Sequence, residues 1–243
     1  MSGPASGTQT SDAVAPPPKW LWAAEFPRAL WGLVSLGFAR RRLADGVPRG
    51  DGRPVIVFPG LANPDRRYRV ICHYLNALGY DARGWGLGFN LGRRTIGPGS
   101  ERLDALIRDS YAQAGQPLTL IGVSLGGILA RLAAHRHPDL VRQVITVSAP
   151  YAGDPRATNV WRVFEWLTGE KVDDPAVARL REEIAAPLPM PATAIWSATD
   201  GLVSGELCHG GDCADIEVRA NHVGVQNRPE VLRAIARILG GAR

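Results

Sequence analysis

The chain has 243 residues, 45% of them hydrophobic, which suffices to bury one full core and argues against two separate large domains. Its formal net charge is +5, but 28 Lys and Arg are interspersed with 23 Asp and Glu, so a nucleic-acid-binding stripe is not expected. Three cysteines cannot build a disulfide framework.

Residues 1–18 are rich in Gly, Ser, Thr, Ala and Pro and end in Pro16, Pro17 and Pro18, a composition expected to form a disordered tail. Residues 19–45 read as an amphipathic helix. The stretch from Trp20 to Phe38 is mostly apolar, yet Glu25, Pro27 and Arg28 interrupt it, so it does not read as a membrane span. Packing on the rest of the chain is the first expectation for this helix. Peripheral membrane contact through residues 20–42 is the alternative, given Trp20, Trp22 and Trp31 and the basic run Arg40, Arg41, Arg42. No positive charge precedes Lys19 and no small-residue cleavage site follows, so a secretory signal is not expected; the expected location is cytoplasmic, at most peripheral to a membrane.

From residue 50 onward, short β-branched runs alternate with segments of helical period, the pattern of a mostly parallel sheet with helices on both faces. The expected strands are 55–58, 80–83, 118–123, 143–147, 193–197 and 215–218. Helices are expected at 66–78, 100–114, 125–135 and 229–239, the last with Val231, Leu232, Ile235 and Ile238 on one stripe. The fold class is therefore α/β, with about six strands in one domain over 50–243. Residues 151–190 are expected to form a short helical, lid-like insertion.

In open parallel sheets, chemistry collects on loops leaving the carboxyl ends of strands. At the end of the third strand stands Gly122-Val123-Ser124-Leu125-Gly126, a G-x-S-x-G sequence between a buried strand and a helix. That turn exposes a serine hydroxyl, and the Leu125 N–H at the helix start faces the place where an oxyanion develops. A serine nucleophile needs a histidine to take its proton and a carboxylate to hold that histidine. Of five histidines, His73, His135 and His137 sit on or at the ends of helices, which leaves His209 and His222. His222 follows the last strand and is preferred as the base. Asp200, after the fifth strand, is preferred as the acid over Asp212 and Asp215. A second oxyanion donor is expected from the Leu61 N–H, after the Pro59-Gly60 turn.

These segments together resemble the α/β-hydrolase superfamily, in particular small bacterial lipase- or esterase-like members. The likeness runs from about residue 53 to 239. Gly79-Tyr80, the loop Gly84-Trp85-Gly86-Leu87-Gly88-Phe89-Asn90-Leu91-Gly92 and Thr199-Asp200-Gly201-Leu202-Val203 share in it. It implies ester hydrolysis through an acyl-enzyme, with no metal and no organic cofactor. The chain departs from many lipases at Phe58-Pro59-Gly60-Leu61, where His-Gly is common, and no strands are evident before Val55.

Trp85, Tyr151, Trp161 and Phe164 are candidates to line an acyl pocket for a small-molecule or lipid ester. Cys208 and Cys213 flank a short loop where a disulfide, a metal site and two free thiols all remain open, with the metal ranked last. The leading reading is a carboxylic ester hydrolase. An acyltransferase using the same three residues and a non-catalytic membrane-surface binding protein are the alternatives. Oligomeric state is not legible.

Overall fold

The computed structural model describes residues 14–210 and 213–241. Of the tail read at 1–18, residues 1–13 lie outside the described residues, as does Asp212. Six strands form one sheet: β1 (Pro54–Phe58), β2 (Asp81–Gly84), β3 (Leu118–Val123), β4 (Val141–Val147), β5 (Ala192–Trp196) and β6 (Ala214–Glu217). Their order is β2-β1-β3-β4-β5-β6, and every neighbouring pair is parallel.

Alternation along the strands explains why both faces are covered. Val55 and Val57 of β1 and Ile121 and Val123 of β3 enter one core, while Ile56, Phe58, Leu118 and Leu120 enter the other. The first core is closed by α3 (Arg69–Leu78) and α9 (Pro229–Leu239), the second by α5 (Glu101–Ala114) and α6 (Leu125–Arg136). Helix α9 begins at Pro229, whose fixed φ and missing N–H suit a first turn. Helix α3 stops where Gly79 takes φ 103°. It is shorter than the expected 66–78 helix, because Asp65–Tyr68 forms a separate 3₁₀ turn. A single turn, α4 (Arg93–Ile96), follows the glycine-rich loop after β2.

Between β4 and β5 the chain forms α7 (Trp161–Thr168) and α8 (Pro175–Ala185). The second starts at Asp174, whose side chain accepts the Ala176 N–H, followed by Pro175. Arg131 of α6, buried, donates to the carbonyls of Ile184 and Ala186 and stacks 4.0 Å from the Tyr151 ring, fixing the end of α8 against the domain.

Ahead of the sheet lie α1 (Lys19–Ala23) and α2 (Glu25–Ala39). Among the described residues no helix is long and apolar enough to cross a membrane. The sheet order positions the chemistry: β1 leads outward to β2, the chain returns to β3 on the other side of β1, and β4 to β6 continue from there. The carboxyl ends of β1 and β3 therefore flank a topological switch point, where a crevice opens.

Candidate active site

Ser124 sits between β3 and α6 with φ 52° and ψ −123°, a conformation that costs a residue with a Cβ about 1–3 kcal/mol. Its N–H donates to the Val147 carbonyl, and its carbonyl accepts the Gly127 N–H, which pins the turn from both sides. The neighbouring glycines are required by space. A Cβ on Gly122 would stand 2.3 Å from the Gly126 carbonyl oxygen, one on Gly126 2.3 Å from the Phe58 carbonyl oxygen, and one on Gly127 2.5 Å from the Ala149 Cβ. The strand, the turn and the helix can approach this closely only without those side chains.

Ser124 Oγ donates to His222 Nε2 at 3.0 Å, and His222 Nδ1 donates to Asp200 Oδ2 at 2.7 Å. The three residues thus form one hydrogen-bonded chain assembled from the ends of β3, β5 and β6. The other oxygen of Asp200, Oδ1, accepts the N–H groups of Leu202 and Val203, both at 2.9 Å, so the buried carboxylate is held in a single orientation. The His222 side chain is 11% exposed. Burial alone pulls its pKa down, but the charge and hydrogen bond of Asp200, with the charge of Glu25, lift it above the ordinary histidine value. His209, the rival base, instead stacks against Trp196 at 4.6 Å.

Sequence reasoning missed Glu25. In the sequence it interrupts an apolar run; in the structure it is buried at the start of α2, where its carboxylate accepts three backbone N–H groups. Gly201 donates to Oε1 at 2.7 Å, His222 to Oε1 at 3.1 Å and Val223 to Oε2 at 2.7 Å. One carboxylate therefore joins the loop after Asp200 to the loop carrying His222. Three residues on, Arg28 donates to the carbonyl and the hydroxyl of Thr199 at 2.6 and 2.9 Å. The only sequence hint was two charges, one turn apart, inside an apolar helix.

The loop after β1 is fixed just as firmly. The Gly60 N–H donates to the Tyr68 hydroxyl at 2.9 Å, and Asn90, fully buried, donates through its amide to the Pro59 carbonyl at 2.6 Å. Backbone bonds Ala62 to Asn90 and Asn90 to Asn63 tie the same loop to the glycine-rich segment after β2. Among the described residues the N–H groups of Leu61 and Leu125 have no hydrogen-bond partner, and both residues border the crevice beside Ser124.

That crevice is a cavity of about 410 Å³, walled mainly by apolar side chains. Tyr151, Trp161 and Phe164 line it, as do Leu180 and Ile184 of α8. Trp85 does not, contrary to expectation. It is 1% exposed in the core beneath the sheet's edge, packed against Phe58 with ring centroids 5.9 Å apart and donating to the Gly88 carbonyl. Cys208 and Cys213 form no disulfide: both are free thiols, Cys208 being buried. Among the described residues, no three His, Cys, Asp or Glu side chains are grouped as a metal site requires.

Comparison with known proteins agrees with this architecture. Residues 52–206 match the family model described as serine aminopeptidase, S33. No curated protein matches the chain. Among solved structures, the mature form of a Bacillus licheniformis lipase superposes with a TM-score of 0.62 at 15% identity, over 80% of this chain and 94% of that one. A monoacylglycerol lipase from Paleococcus ferrophilus does so with 0.55 at 19% identity, over 78% and 96%. Naproxen esterase from Bacillus subtilis gives 0.52 at 13% identity, over 79% and 85%. At these identities the likeness is one of fold.

Proposed function

The chain belongs to the serine aminopeptidase S33 family of α/β-hydrolases, and from that premise we propose that it cleaves carboxylic esters with an apolar acyl group, in the manner of an esterase or lipase. The observation that carries this reading is the Ser124–His222–Asp200 chain of hydrogen bonds opening into a mainly apolar cavity of about 410 Å³.

The geometry supports the following course of reaction. An ester carbonyl is placed in the crevice with its oxygen toward the free N–H groups of Leu61 and Leu125. Ser124 Oγ attacks the carbonyl carbon while its proton passes to His222 Nε2. Asp200, held by Leu202 and Val203, stabilises the imidazolium and keeps Nδ1 protonated, so that Nε2 is the nitrogen that accepts. The negative charge on the carbonyl oxygen is met by the two N–H groups and by the amino end of α6. Collapse expels the alkoxide, which takes the proton from His222 and leaves an acyl group on Ser124. Water, deprotonated by His222, then attacks the acyl carbon. The acid departs, and Ser124 recovers its proton.

The walls favour an ester over a peptide with a free amino end. Among the described residues lining the cavity Glu170 is the one carboxylate, and it is already engaged by the Arg93 N–H, with burial pushing its pKa up. Such a group is a poor anchor for an ammonium. The test is hydrolysis of p-nitrophenyl esters from acetyl to palmitoyl beside aminoacyl p-nitroanilides. Turnover of esters with a preference for a chain longer than acetyl is expected. Faster turnover of the anilides overturns the ester reading, and transfer of the acyl group to an added alcohol in preference to water assigns the site to an acyltransferase.

A further inference from the structure

Helix α2 is turned inside out relative to an ordinary surface helix. Phe26, Leu30, Val34 and Phe38, spaced four apart, face solvent together with Trp31 and Leu33, and Trp20 and Trp22 of α1 are exposed beside them. Phe26 is 72% exposed and Phe38 84%. The opposite side, spaced Glu25, Arg28, Gly32 and Leu36, is the one that meets the domain: Glu25 and Arg28 bond to the loops already described, Gly32 lies against Arg228, and Leu36 packs on the core. A soluble monomer rarely leaves so many large apolar side chains contiguous on one ridge.

We propose that this ridge docks on an anionic lipid bilayer. The side chains are of the kind that settle at a lipid interface, three tryptophans and two phenylalanines among aliphatic ones. Exposed cations stand at both ends, Lys19 at the start of α1 and Arg41 and Arg42 after α2, with Asp45 close behind in the chain; Arg66 and Arg67 of the 3₁₀ turn, beside Asp65, and Arg69 at the start of α3 are exposed as well, and α3 shares a cleft with α2. Cations around an apolar ridge match acidic headgroups around acyl chains. A ridge also suits a deformable interface better than a fixed partner surface. The ridge adjoins the candidate active site, because Gly224 at the cavity wall lies next to Ala29 of α2, and α7 beside the cavity exposes Val163 and Trp166. A docked chain would thus hold its cavity rim beside the membrane. This inference does not depend on the ester reading, since vesicle binding is measured without turnover.

The test is co-sedimentation of the full chain with phosphatidylcholine vesicles, with and without phosphatidylglycerol, comparing wild type with Trp31→Ser/Phe38→Ser and with Phe26→Ser/Leu30→Ser. The wild type is expected to bind the anionic vesicles at least tenfold more tightly than the neutral ones and to lose that margin in high salt. Both double variants should bind at least tenfold more weakly while retaining the wild-type melting temperature. Absence of wild-type binding, or equal binding by the variants, overturns the proposal. So does a wild-type dimer that these substitutions convert to monomer without any vesicle binding, since the ridge would then seat a second copy of the chain.

Discussion

The two halves of the candidate site are built in different ways. The half with the proposed nucleophile is local: within Gly122 to Gly127 a strand, a strained turn and a helix start follow one another, and the bonds that hold Ser124 come from Val147 on the adjoining strand and from its own helix. The half with the proposed acid and base is assembled over long range. Asp200 and His222 sit on separate loops, and the group that joins them, Glu25, lies 176 residues before Gly201 and 197 before His222. The matched family segment, 52–206, contains Ser124 and Asp200 but neither His222 nor Glu25. A short motif can encode a strained turn, whereas the loop carrying His222 is bonded here to a helix contributed by the amino-terminal region.

Substitutions can break this contrast, and the largest effect is expected in the local half. Gly126→Val places a side chain where even a Cβ would stand 2.3 Å from the Phe58 carbonyl oxygen, so β1, β3 and α6 cannot keep their spacing. Activity should vanish and the melting temperature should fall by about 2–12 °C, on the order of 1–3 kcal/mol of overpacking in a chain of this size. A thermal melt by circular dichroism checks it. An unchanged melt would mean that the close approach of strand and helix is not needed.

The long-range half should respond through catalysis more than through substrate binding. Glu25→Gln keeps the shape but removes the charge and one acceptor for the three N–H groups. The expected outcome is a fall of about ten- to a hundredfold in kcat with KM little changed. The pH profile sharpens the test. In the proposed mechanism activity requires neutral His222, whose pKa is raised above the ordinary value partly by Glu25, so the acid limb of kcat/KM should lie above about 6.5 in the wild type and move to lower pH in Glu25→Gln. A helix that merely braces the loops would lower kcat and leave the limb in place.

The smallest effect is expected in the loop after β1. Tyr68→Phe removes the acceptor of the Gly60 N–H and loosens the segment that presents the Leu61 N–H, which should cost about three- to tenfold in kcat. Steady-state kinetics on a short ester measures it. A loss as large as that of Glu25→Gln would place this loop on an equal footing with the acid–base half.

How much of this was legible in the sequence follows the same division. All six strands and the helices after β2, β3 and β6 can be read from apolar runs, helical period, Pro229 and the terminating glycines, because those signals are local. Ser124, Asp200 and His222 can be read because each stands at the end of a strand, and their hydrogen-bonded chain is found among exactly the loops that sheet order brings together. Glu25, Tyr68 and Asn90 cannot, since their partners are backbone groups distant in sequence and no residue pattern marks a buried backbone donor. Trp85 misled because an aromatic in a glycine-rich loop signals a cavity wall and a core plug equally well, and packing on Phe58 decided between them. The apolar period of α2 does not by itself say which face packs: the side chains that bond the helix to the domain are the charged Glu25 and Arg28, while Phe26, Leu30, Val34 and Phe38 face solvent.

The central claim is that Ser124 carries the acyl group, and the most direct measurement is intact and peptide mass spectrometry after treatment with a fluorophosphonate and, separately, after rapid acid quench during ester turnover. The account predicts one adduct per chain on the peptide containing Ser124, absent in Ser124→Ala and formed on the order of 10³-fold or more slowly in His222→Ala. Ester turnover that persists in Ser124→Ala, or an adduct on any other residue, would contradict it.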